Sequence, residues 1–245
     1  MSIKADQVNL TGTLKSGTAT TKIEGSDGET IGLGIGTGHI QLTNAVLGQI
    51  HSGALVIGGS KTGTITSDTA STGPQQGPVT LNAGSSNAGT DVVFSGGAST
   101  FQALDVTAND QIQIGTTVNS QGGDIVFHTR TFLTSPSAVA SSGGNVTFSN
   151  TVDSQATPEG LTITAGAGNV TLTGAVGFTN PLGALSVVSS HDFLASSTIQ
   201  AQSVNVVSTH DVTFNGAVTT TASVAGTGTV TVNADSNGVG SGTFT

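Results

Sequence analysis

The chain has 245 residues, among them 36 glycines and 41 threonines, with no cysteine, tryptophan or tyrosine and only 8% charged residues. The lack of cysteine excludes a disulfide scaffold and thiolate metal sites. A formal charge of −9 with five Lys plus Arg argues against nucleic acid and anionic membranes as partners, because neutralising phosphates requires clustered cations.

From the N-terminus, residues 1–12 (MSIKADQVNLTG) alternate at once and carry no basic-then-apolar leader. No apolar run approaches the roughly 20 residues of a membrane helix, so no membrane insertion is expected. Residues 30–66 read TIGLGIGTGHIQLTNAVLGQIHSGALVIGGSKTGTIT. A dinucleotide G-x-G-x-x-G fingerprint begun at Gly32 fails at Thr37, and begun at Gly34 it fails at His39. Ser60 stands where a phosphate loop needs glycine before Lys61. These glycines therefore read as a tight strand and turn. Within the segment, Leu42, Val46, Leu47 and Ile50 share a helical face and Thr43 or Asn44 can cap it, which predicts a single helical turn at a corner. The run STGPQQGP at 71–78 marks a joint between an N-terminal segment, 1–76, and regular repeats, 77–245, continuous with it.

Beyond that joint short alternating segments recur: ALDVTA, GGDIVF, GGNVTF, GLTITA, GNVTL, ALSVVS, SVNVVS, HDVTF and GTVTV. Val106 to Ile125 is 19 residues, Ile125 to Val146 is 21, and Val187 to Val206 is 19. A unit this small cannot bury its own apolar side, but it can do so against copies of itself. The period predicts an all-β fold, a right-handed parallel β-helix (β-solenoid) of about 18–24 residues per coil, with about twelve coils some 4.8 Å apart. Val106, Ile125, Val146, Ile163, Val187, Val206 and Val230 are assigned to one inward ladder. Asp124, Asn145, Asn169, Asp192 and Asp211 are assigned to the corner before each strand, where a short polar side chain bonds its own turn. Pro136, Pro158 and Pro181 place bulging loops at 134–142, 153–160 and 177–183. An antiparallel sandwich fits less well, since of Asp27–Gly28, Asn215–Gly216 and Asn237–Gly238 only the middle pair has alternation beside it.

Few residues invite chemistry. His191–Asp192 and His210–Asp211 lie 19 residues apart, so adjacent coils would bring two imidazoles within reach of one metal. Two good ligands are too few for a site, and both pairs read as corners; no metal or cofactor is expected. GGDIVF lacks the further glycine and aspartate of a calcium repeat. Asp105 with Asp124, or Asp192 with Asp211, would supply paired carboxylates for glycosidic cleavage, but no aromatic platform or basic clamp accompanies them, so no enzyme is expected. Thr162/Thr164, Thr171/Thr173 and Thr229/Thr231 fit an ice-binding face locally, and Val188 and Val207 interrupt it.

The segment 30–66 resembles the repeats of giant bacterial surface proteins of the filamentous-haemagglutinin type. The residues that carry the likeness are Gly32, Leu33, Gly34, Gly36, Gly38, Leu42, Ala45, Leu47, Ile50, Leu55, Ile57, Gly58, Gly63 and Ile65; Val46 departs from it, standing where that family has an acidic residue. The resemblance implies the shaft of an exported adhesin, secreted or on the bacterial cell surface. Its implied partners are host or neighbouring-cell glycans or proteins and the adjoining repeats of a longer chain. Polysaccharide cleavage and ice binding are the alternative readings.

Overall fold

Among the described residues every strand pairing in the computed structural model is parallel, and from residue 79 to 214 neighbouring strands of the first sheet lie about one coil apart in the chain. The structure describes residues 1–221, 228–239 and 242–245; of the terminal stretch 238–245, residues 240 and 241 lie outside them. The fold is an all-β parallel solenoid. Its first sheet holds ten strands, fewer than the dozen coils expected from the spacing.

One coil shows the plan. Leu104–Ala108 lies in the first sheet, Ile112–Ile114 in the second and Thr117–Ser120 in the third. The next coil repeats this with Ile125–Phe127, Thr131–Leu133 and Ser137–Ser141. Alternation turns every second side chain inward, so the strands read buried, half-buried, buried. Two apolar columns fill the first-sheet wall. One runs Leu55, Val79, Leu104, Ile125, Val146, Val170, Phe193, Val212; the other runs Ile57, Leu81, Val106, Phe127, Phe148, Leu172, Ala195, Phe214. Leu55 through Phe193 in the first column and Ile57 through Ala195 in the second are at most 2% exposed. Burying each large one contributes about 1.5–3 kcal/mol. The Phe127 and Phe148 rings stack at 4.8 Å, and Phe94 meets Phe127 edge-on at 6.2 Å.

The residues read from the sequence as a single inward ladder fall in several columns on two sheets. Ile125 pairs with Val146, but Val106 pairs with Phe127, one column over. Ile163, Val187 and Val206 pair with one another in the third sheet. Val230 pairs with Val204 and is 47% exposed, while Val232 takes the position beside Val206. Each coil contributes three strands of similar composition, so a spacing near twenty does not say which wall a valine belongs to.

The segment 30–66 forms Ile31–Gly34, Ile40–Leu42, a helical turn Asn44–Gly48, Ile50–Gly59 and Ile65–Asp68. Thr43 caps the turn, its Oγ1 accepting from the Val46 N–H, and Leu47 is fully buried. Asn44 acts differently: its side chain donates to the Thr69 carbonyl at 2.9 Å and accepts from the Ser71 N–H at 2.8 Å, tying the turn to the next coil. Across the 76–77 boundary the sheets run on, Leu55–Gly59 pairing with Val79–Ala83 and Ile65–Ser67 with Val92–Phe94. Residues 134–142 are not a loop. Ser137–Ser141 is a third-sheet strand with Val139 fully buried, and Pro136 stands just ahead of it, where no ladder donor is required. Among the described residues, no helix is long and apolar enough to cross a membrane.

Candidate functional site

The predicted corner residues form one line of side chains up the rod. The Asn145 N–H donates to Asp124 Oδ1 at 2.7 Å, the Asn169 N–H to Asn145 Oδ1 at 2.9 Å, and the Asp192 N–H to Asn169 Oδ1 at 3.1 Å. The Asp211 N–H then donates to Asp192 Oδ1 at 3.1 Å, and the Thr243 N–H to Asp211 Oδ1 at 2.8 Å. Each side chain thus satisfies the backbone of the coil above rather than its own turn, which is why Asp and Asn interchange along the line: only the oxygen is used.

The rest of the corner explains why SQGGD and SSGGN echo each other. Ser120 and Ser141 turn inward, and their hydroxyls donate to the carbonyls of Gly123 and Gly144. Gly122 and Gly143 adopt φ of 103° and 114°, a region L side chains avoid. Gly123, Gly144 and Gly168 then stack so closely that a Cβ at Gly144 would lie 2.3 Å from the Gly123 carbonyl carbon.

In the next two corners histidine stands in place of that stacked glycine. His191 and His210 stack with centroids 5.1 Å apart and planes 24° from parallel. Asp192 lies between them, Oδ1 at 2.7 Å from His210 Nδ1 and Oδ2 at 3.1 Å from His191 Nδ1. The hydrogen bond to Asp192, helped by the negative charges of Asp211, Asp192 and Asp235, raises the His210 pKa above its ordinary value. For Asp192, partial desolvation acts upward but is outweighed by the hydrogen bonds from His210, the Asp211 N–H and His191, so its pKa is lowered. Hydrogen bonds from the Thr243 hydroxyl and N–H lower that of Asp211.

The other carboxylate pair stands apart from this corner. Asp105 and Asp124 border an open depression of about 280 Å³ with Pro78, Ala103, Leu104 and Val126. Asp105 is engaged by His128 Nε2 at 2.9 Å, and Asp124 by the ladder. Nor do the threonines form a continuous ice-binding file: Thr162 stands between Ala138 and Ser186, and Thr171 between Thr147 and Leu194.

Two of the proline inserts meet. Asp153, almost fully buried, accepts from the Thr179 N–H at 2.8 Å and the Asn180 N–H at 3.3 Å, while the Asn180 amide donates to the Gln155 carbonyl at 3.3 Å. The result is one raised platform built from residues 155–160 and 177–181, with Phe178 67% exposed on it. The prolines signalled each insert; their juxtaposition, and Asp153 as the peg beneath them, had no local signal.

No protein-family model matches this chain, and no curated protein or solved structure matches it either.

Proposed function

We propose that the chain is a non-catalytic shaft segment of a large exported bacterial adhesin of the filamentous-haemagglutinin type. The observation that supports this reading is the unbroken parallel pairing of ten first-sheet strands over buried apolar columns. Such a rod transmits load through backbone hydrogen bonds between coils and tolerates sequence drift, because each coil only has to match its two neighbours. Its outer positions carry Thr, Ser, Asn and Gln with few cations, which keeps the surface hydrated. The resemblance of residues 30–66 supports the family, and the platform around Phe178 is the part of this segment suited to touch a cell-surface glycan or protein. Antibodies against the chain, applied to intact and to permeabilised cells of the organism that makes it, test the reading. Labelling of intact cells, with loss of adhesion when the gene is deleted, supports it. Labelling only after permeabilisation overturns it.

A further inference from the structure

We propose that His191, Asp192 and His210 form a binding site for one divalent first-row transition cation, with Zn2+ as the reference ion. Three ligand atoms, one from each residue, lie within 4.8 Å of one another. Tetrahedral zinc with ligands at 2.0–2.1 Å sets its ligand atoms about 3.3 Å apart. The 3.1 Å between His191 Nδ1 and Asp192 Oδ2 is already close to that edge, while His210 Nδ1 rests 2.7 Å from the other oxygen, Oδ1. A small outward rotation of the imidazoles converts the hydrogen-bonded triad into a chelate. The side chains are between 37 and 50% exposed, leaving room for water in the remaining coordination position.

The backbone preorganises the pair. His210 N–H donates to the His191 carbonyl at 2.9 Å, and the strands that follow pair Phe193 with Val212. The imidazoles are therefore held on consecutive coils and need not be gathered by the ion.

Two further features separate this corner from the rest of its line. The structural task at the corner requires only an acceptor oxygen, and Asn145 and Asn169 meet it with an amide. At Asp192 that task uses Oδ1, which accepts the Asp211 N–H. The second oxygen, Oδ2, faces His191 and has no part in the ladder. Moreover, the position before the ladder residue is glycine at 123, 144 and 168 but histidine at 191 and 210. The corner thus calls for neither the carboxylate nor the imidazoles.

Two imidazoles and one carboxylate suit zinc, nickel or copper rather than calcium or magnesium, which take oxygen ligands. The nearby carboxylate of Asp211, whose Oδ2 is 3.5 Å from His210 Nδ1, adds negative charge favourable to a cation. A bound ion would cross-link two coils and staple the rod at this level. This inference does not depend on the adhesin reading.

The test is calorimetric titration of ZnCl2 into the tag-free, chelator-stripped chain, repeated with CaCl2. The expected result is one zinc per chain with a Kd of about 10 μM or tighter, and no calcium binding. His191→Asn and His210→Asn are each expected to weaken zinc about tenfold or more, since each removes one of three protein ligands. Asp192→Asn keeps the ladder acceptor, as Asn145 and Asn169 do, so it separates ligand loss from misfolding; it is expected to weaken zinc while leaving the circular dichroism unchanged. His128→Asn, which removes an exposed histidine elsewhere, should leave zinc binding as it was. Co2+ substitution should give the visible absorption of a tetrahedral site, lost in the double His191→Asn, His210→Asn variant. Absence of saturable zinc binding, or binding that persists in that double variant, overturns the proposal.

Discussion

Replacing Gly144 with alanine asks the stacked corner for space it does not have. The added Cβ would sit 2.3 Å from both the carbonyl carbon and oxygen of Gly123 and 2.7 Å from the Asp124 nitrogen, all backbone atoms of the coil below. Ordinary contact needs about 3.4 Å or more, so the two coils must part locally by roughly 1 Å. The Ile125 N–H to Asn145 carbonyl bond, 2.8 Å, and the Asn145 N–H to Asp124 bond, 2.7 Å, span that gap, and both would stretch past hydrogen-bonding distance. At about 1 kcal/mol for each bond, with lost packing of the flanking columns added, the cost is about 3 kcal/mol. For a chain of this size that lowers Tm by roughly 6–12 °C. Because repeat arrays lose cooperativity, hydrogen exchange of the Leu104–Ala108, Ile125–Phe127 and Val146–Phe148 strands should be read beside the melt. Gly73→Ala is the control: nothing lies within 4 Å of its Cβ, so stability should hold or rise by a few tenths of a kcal/mol. If Gly144→Ala melts with the control and leaves exchange unchanged, the close stacking of coils at this corner is wrong.

Phe127→Ala removes a fully buried ring that stacks on Phe148 and meets Phe94 edge-on; a loss of about 3–5 kcal/mol is expected by chemical denaturation. Along the polar line, Asp192→Ala in metal-free protein should destabilise by about 1 kcal/mol, and more than Asp192→Asn, which retains the acceptor for the Asp211 N–H. Near the N-terminus, hydrogen bonds from the Asp27 N–H and the Ser26 hydroxyl hold the Glu29 carboxyl below its ordinary value of 4.5. A depressed folded-state pKa means stability present above the unfolded value and lost as pH falls through the folded one. The advantage of the wild type over Glu29→Gln should therefore exist at neutral pH and vanish in acid, which paired melts across that range would show. Asn44→Ala should loosen the helical turn from the next coil, seen as faster exchange at Ser71, whose N–H loses its acceptor.

The alternation and the corner glycines were legible because each reflects a local rule, period two for a strand and positive φ for the turn; the recurring Asp and Asn were legible as corner residues, but their bond to the backbone N–H of the next coil, rather than to their own turn, was not. Ile125 over Val146 follows from those rules. The assignment of Val106, Ile163 and Val230 did not, because it depends on how many residues each corner consumes, and that number varies from coil to coil. Pro136 misled for a related reason: a proline that ends a loop and one that opens a strand look alike until the partner strand, Leu161–Thr164, is known. Of the histidine corner, the 19-residue spacing of two imidazoles was visible, whereas the seating of Asp192 between them depends on side-chain geometry across coils.

The central claim is that the coils stack in parallel register, and the absence of native cysteine allows it to be tested by cross-linking. Val126 and Thr147 are outward partners on adjacent coils, and Thr171 lies one coil further along the same file. Under mild oxidation, the Val126→Cys, Thr147→Cys chain should close an intramolecular disulfide, since neighbouring strands lie about 4.8 Å apart. The Val126→Cys, Thr171→Cys chain, spanning about twice that distance, should not. Equal cross-linking of the two chains, or a preference for the second, would contradict the register on which the whole account rests.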